Sequence, residues 1–159
     1  GMHMQFYSVD PSTLAPPRLQ LEDDPSLTVR PYEDGDAEWM RTWIQQFHVD
    51  CFGYSQDGGF VANQLSELAR LPREARGMFL LFKGSEFVSY AGYGGATANT
   101  LRITGVFTPE NFRGHGYGQL AAWCACRHLL TPVADHGLGR SAVAIAADQA
   151  KSSVMGIYK

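Results

Sequence analysis

Positive charge is scarce in this chain. Thirteen Lys and Arg stand against 16 Asp and Glu, for a formal net charge of -3 over 159 residues, and the pI is near 5.9. That balance gives no electrostatic case for nucleic acid or an anionic membrane surface as a partner. Long apolar runs are missing too: none approaches the ~20 residues that span a bilayer, and no signal peptide precedes a cleavage site. Cysteine is sparse and odd in number, at Cys51, Cys124 and Cys126. Cys124 and Cys126 lie two apart on an expected helix and face different ways, so no disulfide framework is expected and a reducing, cytoplasmic setting is. His48 with Cys51 is a lone pair without a second pair at ligand spacing, so no metal is expected. A Walker loop is excluded because no Gly-Lys-Ser/Thr occurs. Gly1 ahead of Met2 reads as a tag-cleavage scar.

What is present is a chain with 45% hydrophobic and 18% charged residues, suited to one globular core. Residues 1 to 26 carry Pro11, Pro16, Pro17, Pro25 and the acidic Glu22, Asp23 and Asp24. They read as an N-terminal arm or linker, with a short strand at Gln5 to Val9. A core strand at Leu27 to Pro31 opens the domain spanning 27–159. Asp34, Asp36 and Glu38 provide an acidic helix start, and Ala37, Met40, Ile44 and Phe47, widened by Trp39 and Trp43, form the apolar stripe. A loop from Gly53 to Gly59 leads to a second helix, Phe60 to Leu71. Strands follow at Met78 to Phe82 and Phe87 to Tyr93 around a hairpin turn, then at Leu101 to Phe107. A buried helix is expected over Gln119 to Leu130, a strand over Ser141 to Ala147, and one or two helical turns before Lys159. The order predicts an α+β, mixed α/β fold with a mostly antiparallel sheet and helices on both faces.

The densest signal lies between the third of these strands and the buried helix. Gly114, Gly116 and Gly118 alternate with His115 and Tyr117, directly after Arg113. Glycine lets a ligand approach the backbone. The helix start offers free N–H groups and the positive end of its dipole. Together they suit a phosphate or pyrophosphate, and Arg113 adds a planar cationic fork. A dinucleotide fingerprint fits poorly, since its glycines belong in the first strand–helix turn of a βαβ unit.

The pattern Arg113-Gly-His-Gly-Tyr-Gly118, between an antiparallel strand and a buried helix, resembles the acyl-CoA loop of the GCN5-related N-acetyltransferases. The longer run from Arg102 to Gly118, with Val88 to Gly92 in the preceding strand, resembles an FR47-like branch of that family, and Ala147-Asp148 through Ile157-Tyr158 is similar to its last motif. The resemblance spans roughly residues 27 to 159. It implies an acyl-CoA N-acyltransferase-like fold and acetyl-CoA as co-substrate. The acceptor would be a small-molecule or peptide amine. Backbone at Val106 and Phe107 would pair with the pantetheine arm, and N–H groups from Arg113, Gly114, His115, Gly116, Tyr117 and Gly118 would cradle the pyrophosphate. Ser153 would add a further cofactor contact. An N–H near Val106 would polarise the acyl carbonyl where the strands at 101–107 and 141–147 splay, and Tyr158 would be the general acid. The base stays open between Glu86, Glu110 and a water chain. A CoA-binding module without turnover is the alternative.

Two departures stand out. Lys151 replaces the family's Asn, with Val154 where a Ser is expected and Ser152 and Ser153 nearby. The family also continues with two strands beyond the Tyr, which would leave the 141–147 strand with an open edge. Either the N-terminal arm, through Gln5 to Val9, or a partner chain in a homodimer is expected to cover it, unless the chain is shortened from a longer protein.

Overall fold

A computed structural model describes residues 4–53, 59–95 and 100–148. Six strands form one sheet: β1 (Met4–Val9), β2 (Leu27–Pro31), β3 (Arg76–Lys83), β4 (Glu86–Gly94), β5 (Thr100–Phe107) and β6 (Ala142–Asp148). Their spatial order is β1-β6-β5-β4-β3-β2, and only β5 and β6 run parallel. Three α-helices are described: α1 (Ala37–Phe52), α2 (Phe60–Arg70) and α3 (Tyr117–Leu130).

The helices divide between the two faces, as the apolar patterning requires. One core gathers Leu120, Ala121, Ala125, Cys126 and Leu129 of α3 against Leu81, Val88, Ile103, Val143 and Ile145 of the sheet. The other gathers Met40 and Ile44 of α1 and Val61 and Leu65 of α2 against Leu80, Phe87, Tyr90 and Phe107. Trp39 and Trp43 pack on Phe87 at 5.4 and 5.8 Å, as core residues. Cys124 and Cys126 are buried thiols within the α3 core.

The N-terminal segment is folded onto this body. β1 pairs antiparallel with β6 over its whole length, from Met4 opposite Asp148 to Val9 opposite Val143. Of the ways to cover the β6 edge, the Gln5 to Val9 strand is the one the structure uses. Val9 is fully buried, and Leu14, Leu19 and Leu21 pack against the α3 core. Lys83 at the end of β3 holds Asp24 at 2.7 Å.

The acidic residues expected to open the first helix do so, with Asp36 at the N-cap of α1 and Glu38 in its first turn. Asp34 to Asp36 form a single 3-10 turn ahead of α1. Asp36 is buried. Its carboxylate accepts Arg30 at 2.7 and 2.8 Å, the Glu33 N–H at 2.8 Å and the Trp39 indole at 3.0 Å. Burial without that guanidinium would leave an unpaired charge, so Asp36 is an anchor between β2 and α1 and is not open to attract a ligand.

Two irregularities in the sheet prepare a site. β5 and β6 pair only from Thr100 opposite Ala142 to Ile103 opposite Ile145. Beyond that point β5 stays with β4, to Phe107 opposite Tyr90, while β6 stays with β1, so the strands splay. The second is a bulge. Gly92 faces Gly105 but Tyr93 faces Ile103, which leaves Thr104 as an extra residue in β5. A bulge bends its strand and re-aims its side chains. Here Ile103 and Val106 pack on the α3 side, whereas the Phe47 ring of α1 lies 2.7 Å from where a Cβ on Gly105 would stand. Only glycine admits that approach.

Candidate functional site

The splay, the bulge and the glycine turn open into one cavity of ≈ 1440 Å³. β5 and β6 both point their carboxyl ends at it, the place where ligands enter open sheets with parallel strands. Val106, Phe107, Arg113, Gly114, His115, Gly116, Tyr117 and Gly118 all line it. Ser153 and Tyr158 lie outside the described residues, as do Lys151, Ser152 and Val154.

At one end stands the start of α3. Gly114 and Gly116 hold φ of 84° and 85°, values that L side chains rarely adopt. Gly116 is the N-cap and has no side chain with which to cap the helix. The first-turn N–H groups of Tyr117, Gly118 and Gln119 therefore sit at the cavity with the helix dipole behind them. Gly118 falls inside the first helical turn, because α3 begins at Tyr117, two residues before the expected Gln119, with Gly116 ending the non-helical backbone. A Cβ on Gly118 would stand 3.2 Å from the Thr108 hydroxyl. The Tyr117 ring is buried in the α3 core, and exposed His115 stacks on it at 5.5 Å.

Arg113 is tied on two sides. Its Nε donates to the Thr108 carbonyl at 2.9 Å, and a terminal nitrogen donates to Asp50 of α1 at 2.8 Å. Behind Thr108, the buried Ser89 hydroxyl donates to the Phe107 carbonyl at 2.9 Å and lies 3.0 Å from the Thr108 hydroxyl. The strand end that carries Val106 and Phe107 is thus fixed from β4.

The cavity also takes in residues that sequence reasoning missed. Arg18 and Leu19 of the N-terminal segment line it, and Leu19 lies 3.4 Å from a Cβ placed on Gly116. Arg18 has no ion-pair partner among the described residues, so it is the uncommitted cation at the glycine end. Toward the helices, Ile44, Phe47, Phe52, Phe60, Met78 and Tyr90 form an apolar wall. Burial pushes the Tyr90 phenol well above its ordinary value, so it is a protonated hydroxyl and not a base. Glu86, in the β3–β4 hairpin, and Glu110, in the turn after β5, are exposed and do not line the cavity. Among the described residues no cluster of three or more His, Cys, Asp or Glu could hold a metal ion, and no helix is long and apolar enough to cross a membrane.

No protein-family model matches the chain, and no curated protein matches it. Solved structures do. A GCN5-related N-acetyltransferase from Kribbella flavida superposes with a TM-score of 0.62 and 16% identity, over 91% of this chain and 50% of that one. The chain thus spans about half the length of that protein. A possible acetyltransferase from Clostridium difficile 630 gives 0.59 and 11%, over 84% and 91% of the two chains. An integron cassette protein from the mobile metagenome of V. cholerae gives 0.56 and 14%, over 82% and 80%. At these identities the likeness is one of architecture: the chain has the α+β, acyl-CoA N-acyltransferase-like fold of the GCN5-related N-acetyltransferases.

Proposed function

We propose that this chain is an N-acetyltransferase of the GCN5-related superfamily, of its FR47-like branch, that moves an acetyl group from acetyl-CoA to a primary amine. The observation that carries the reading is the shared cavity. An uncapped, glycine-built helix start and a splayed, bulged strand pair open into the same space, so a phosphate cradle and the opening between the strands lie on one path.

The residues fit the co-substrate. N–H groups from Gly114 to Gly118 suit the pyrophosphate, with Arg113 and the uncommitted Arg18 as its cations. Val106 and Phe107 offer the strand edge along which a pantetheine arm extends, with Ser153 as a further contact. Acetyl-CoA supplies the acyl carbon and a thiol leaving group. A backbone N–H near Val106 draws charge onto the acyl oxygen. The amine nitrogen forms a bond to the acyl carbon and the carbon–sulfur bond breaks. Tyr158 gives its proton to the departing sulfur, and the amine proton passes to water. No carboxylate base enters this scheme, in keeping with the position of Glu86 and Glu110 outside the cavity. The cytoplasm, where acetyl-CoA is made and used, is the compartment the reading implies.

The test is thiol release from acetyl-CoA in the presence of a panel of primary amines, with the acetylated amine identified by mass. Tyr158→Phe should lower kcat at least tenfold and leave CoA affinity within about twofold. Equal loss of both marks Tyr158 as structural. CoA binding with no turnover on any amine leaves a binding module.

A further inference from the structure

The helix-side wall of the cavity is aromatic, and it is partly open. Phe47 stacks on Phe60 with ring centroids 6.5 Å apart. Phe52 meets Phe60 edge-on at 6.4 Å, and Phe47 meets Tyr90 at 6.1 Å. Phe52 is 49% exposed. An exposed aromatic on the rim of an apolar pocket leaves unburied area that a ligand can cover.

Carboxylates are few around the same cavity among the described residues. The carboxylates lining it among the described residues are Asp23 and Asp50. Asp50 holds Arg113 at 2.8 Å, whereas Asp23 makes no ion pair among the described residues but lies on the N-terminal segment, outside the α1–α2 wall. Asp36, on the acidic stretch ahead of α1, is committed to Arg30. A second cation on the acceptor would enter an aromatic wall whose one carboxylate among the described residues, Asp50, is held by Arg113, which is costly.

We infer that the acceptor is a monoamine carrying an aromatic or branched aliphatic group, bound with that group against Phe47, Phe52 and Phe60. The inference rests on the acetyltransferase reading above. It also suits the scheme above, in which the amine proton passes to water. An apolar surround disfavours the ammonium form, so the wall itself shifts the bound amine toward the neutral nucleophile. Attack then joins nitrogen to the acyl carbon as the carbon–sulfur bond breaks, and the amine's remaining extra proton leaves to solvent.

Binding to the CoA-saturated full chain, measured by calorimetry, tests this apart from turnover. 2-Phenylethylamine should bind at least about tenfold more tightly than butane-1,4-diamine or lysine amide, the scale on which apolar pockets discriminate. Phe52→Asp, at a half-exposed position and checked for folding by circular dichroism, should narrow or reverse the preference. Tighter binding of the diamine or lysine amide, or no binding of any amine to a chain that does bind CoA, overturns the inference and leaves the CoA site standing. A prior titration with CoA alone shows whether the underlying reading holds; if CoA fails to bind, both fall.

Discussion

Arg113 reaches from the glycine turn to Asp50 in the last turn of α1, donating to its carboxylate at 2.8 Å. The pair joins the two sides of the cavity, the phosphate end and the helix wall. It is half-open to solvent, with side-chain exposures of 50% and 29%, and pairs of that kind contribute about 0.2–1 kcal/mol. Asp50→Asn should therefore barely change stability. It should strengthen CoA binding by about two- to fivefold at low salt, because a carboxylate leaves the phosphate end and the guanidinium is released. The gain should shrink at high ionic strength. Weaker binding of CoA by the variant would mean that Asp50 orients Arg113 and does not compete for it.

Ser89 is the hidden support of the strand end. Its hydroxyl is fully buried and serves both the Phe107 carbonyl and the Thr108 hydroxyl. Ser89→Ala strands those groups, which costs about 1–3 kcal/mol. Urea unfolding should show that loss, and calorimetry should show weaker CoA binding. An unchanged midpoint would place no weight on this hydrogen bond.

Acid should act on the anchor between β2 and α1. The Arg30 guanidinium holds the Asp36 carboxyl at about 2, below its ordinary range. A depressed carboxylate contributes stability that is present above its unfolded pKa of about 4 and lost as pH falls toward the folded value. Wild type should therefore exceed Asp36→Asn in unfolding free energy at pH 7. The gap should close between about pH 4 and pH 2. A gap independent of pH would make the Asp36 contribution one of packing alone.

The cysteines should react unequally. Burial raises the Cys124 thiol to about 11 and the Cys126 thiol to about 12, so neither offers thiolate at neutral pH. Cys51 is only partly buried and lines the cavity. Iodoacetamide at pH 8 should label Cys51 alone in the native chain, as read by peptide mass, and saturating CoA should slow that labelling. Labelling of Cys126 at a comparable rate would show that the α3 core opens.

How far the sequence foretold this follows from the range of each interaction. The glycine turn is legible because its demands are local: a backbone conformation, a helix start and a neighbouring Arg113 fall within six residues. The alternation of Leu101, Ile103 and Phe107 located β5 as well. It hid the bulge, since nothing in the run distinguishes Thr104 as the extra residue. That becomes visible only when Gly92 and Tyr93 choose their partners. The pairing of β1 with β6 was open as one option among several, because strand partners at least 134 residues apart (Val9 to Val143) leave no local mark. Asp36 was legible as part of the helix start, but its burial was not. A carboxylate ahead of a helix reads as a solvated cap, and its burial depends on Arg30 arriving from β2. Arg18 and the Phe47–Phe60 wall reach the cavity only through tertiary packing.

The most direct measurement is a calorimetric titration of the full chain with CoA, with NAD as the control and Gly116→Trp as the blocked variant. The account predicts that CoA binds and NAD does not. Gly116→Trp, which sets a ring against Leu19 and the helix start, should remove CoA binding while the chain stays folded by circular dichroism. Binding of NAD without CoA, or undiminished CoA binding by folded Gly116→Trp, would contradict it.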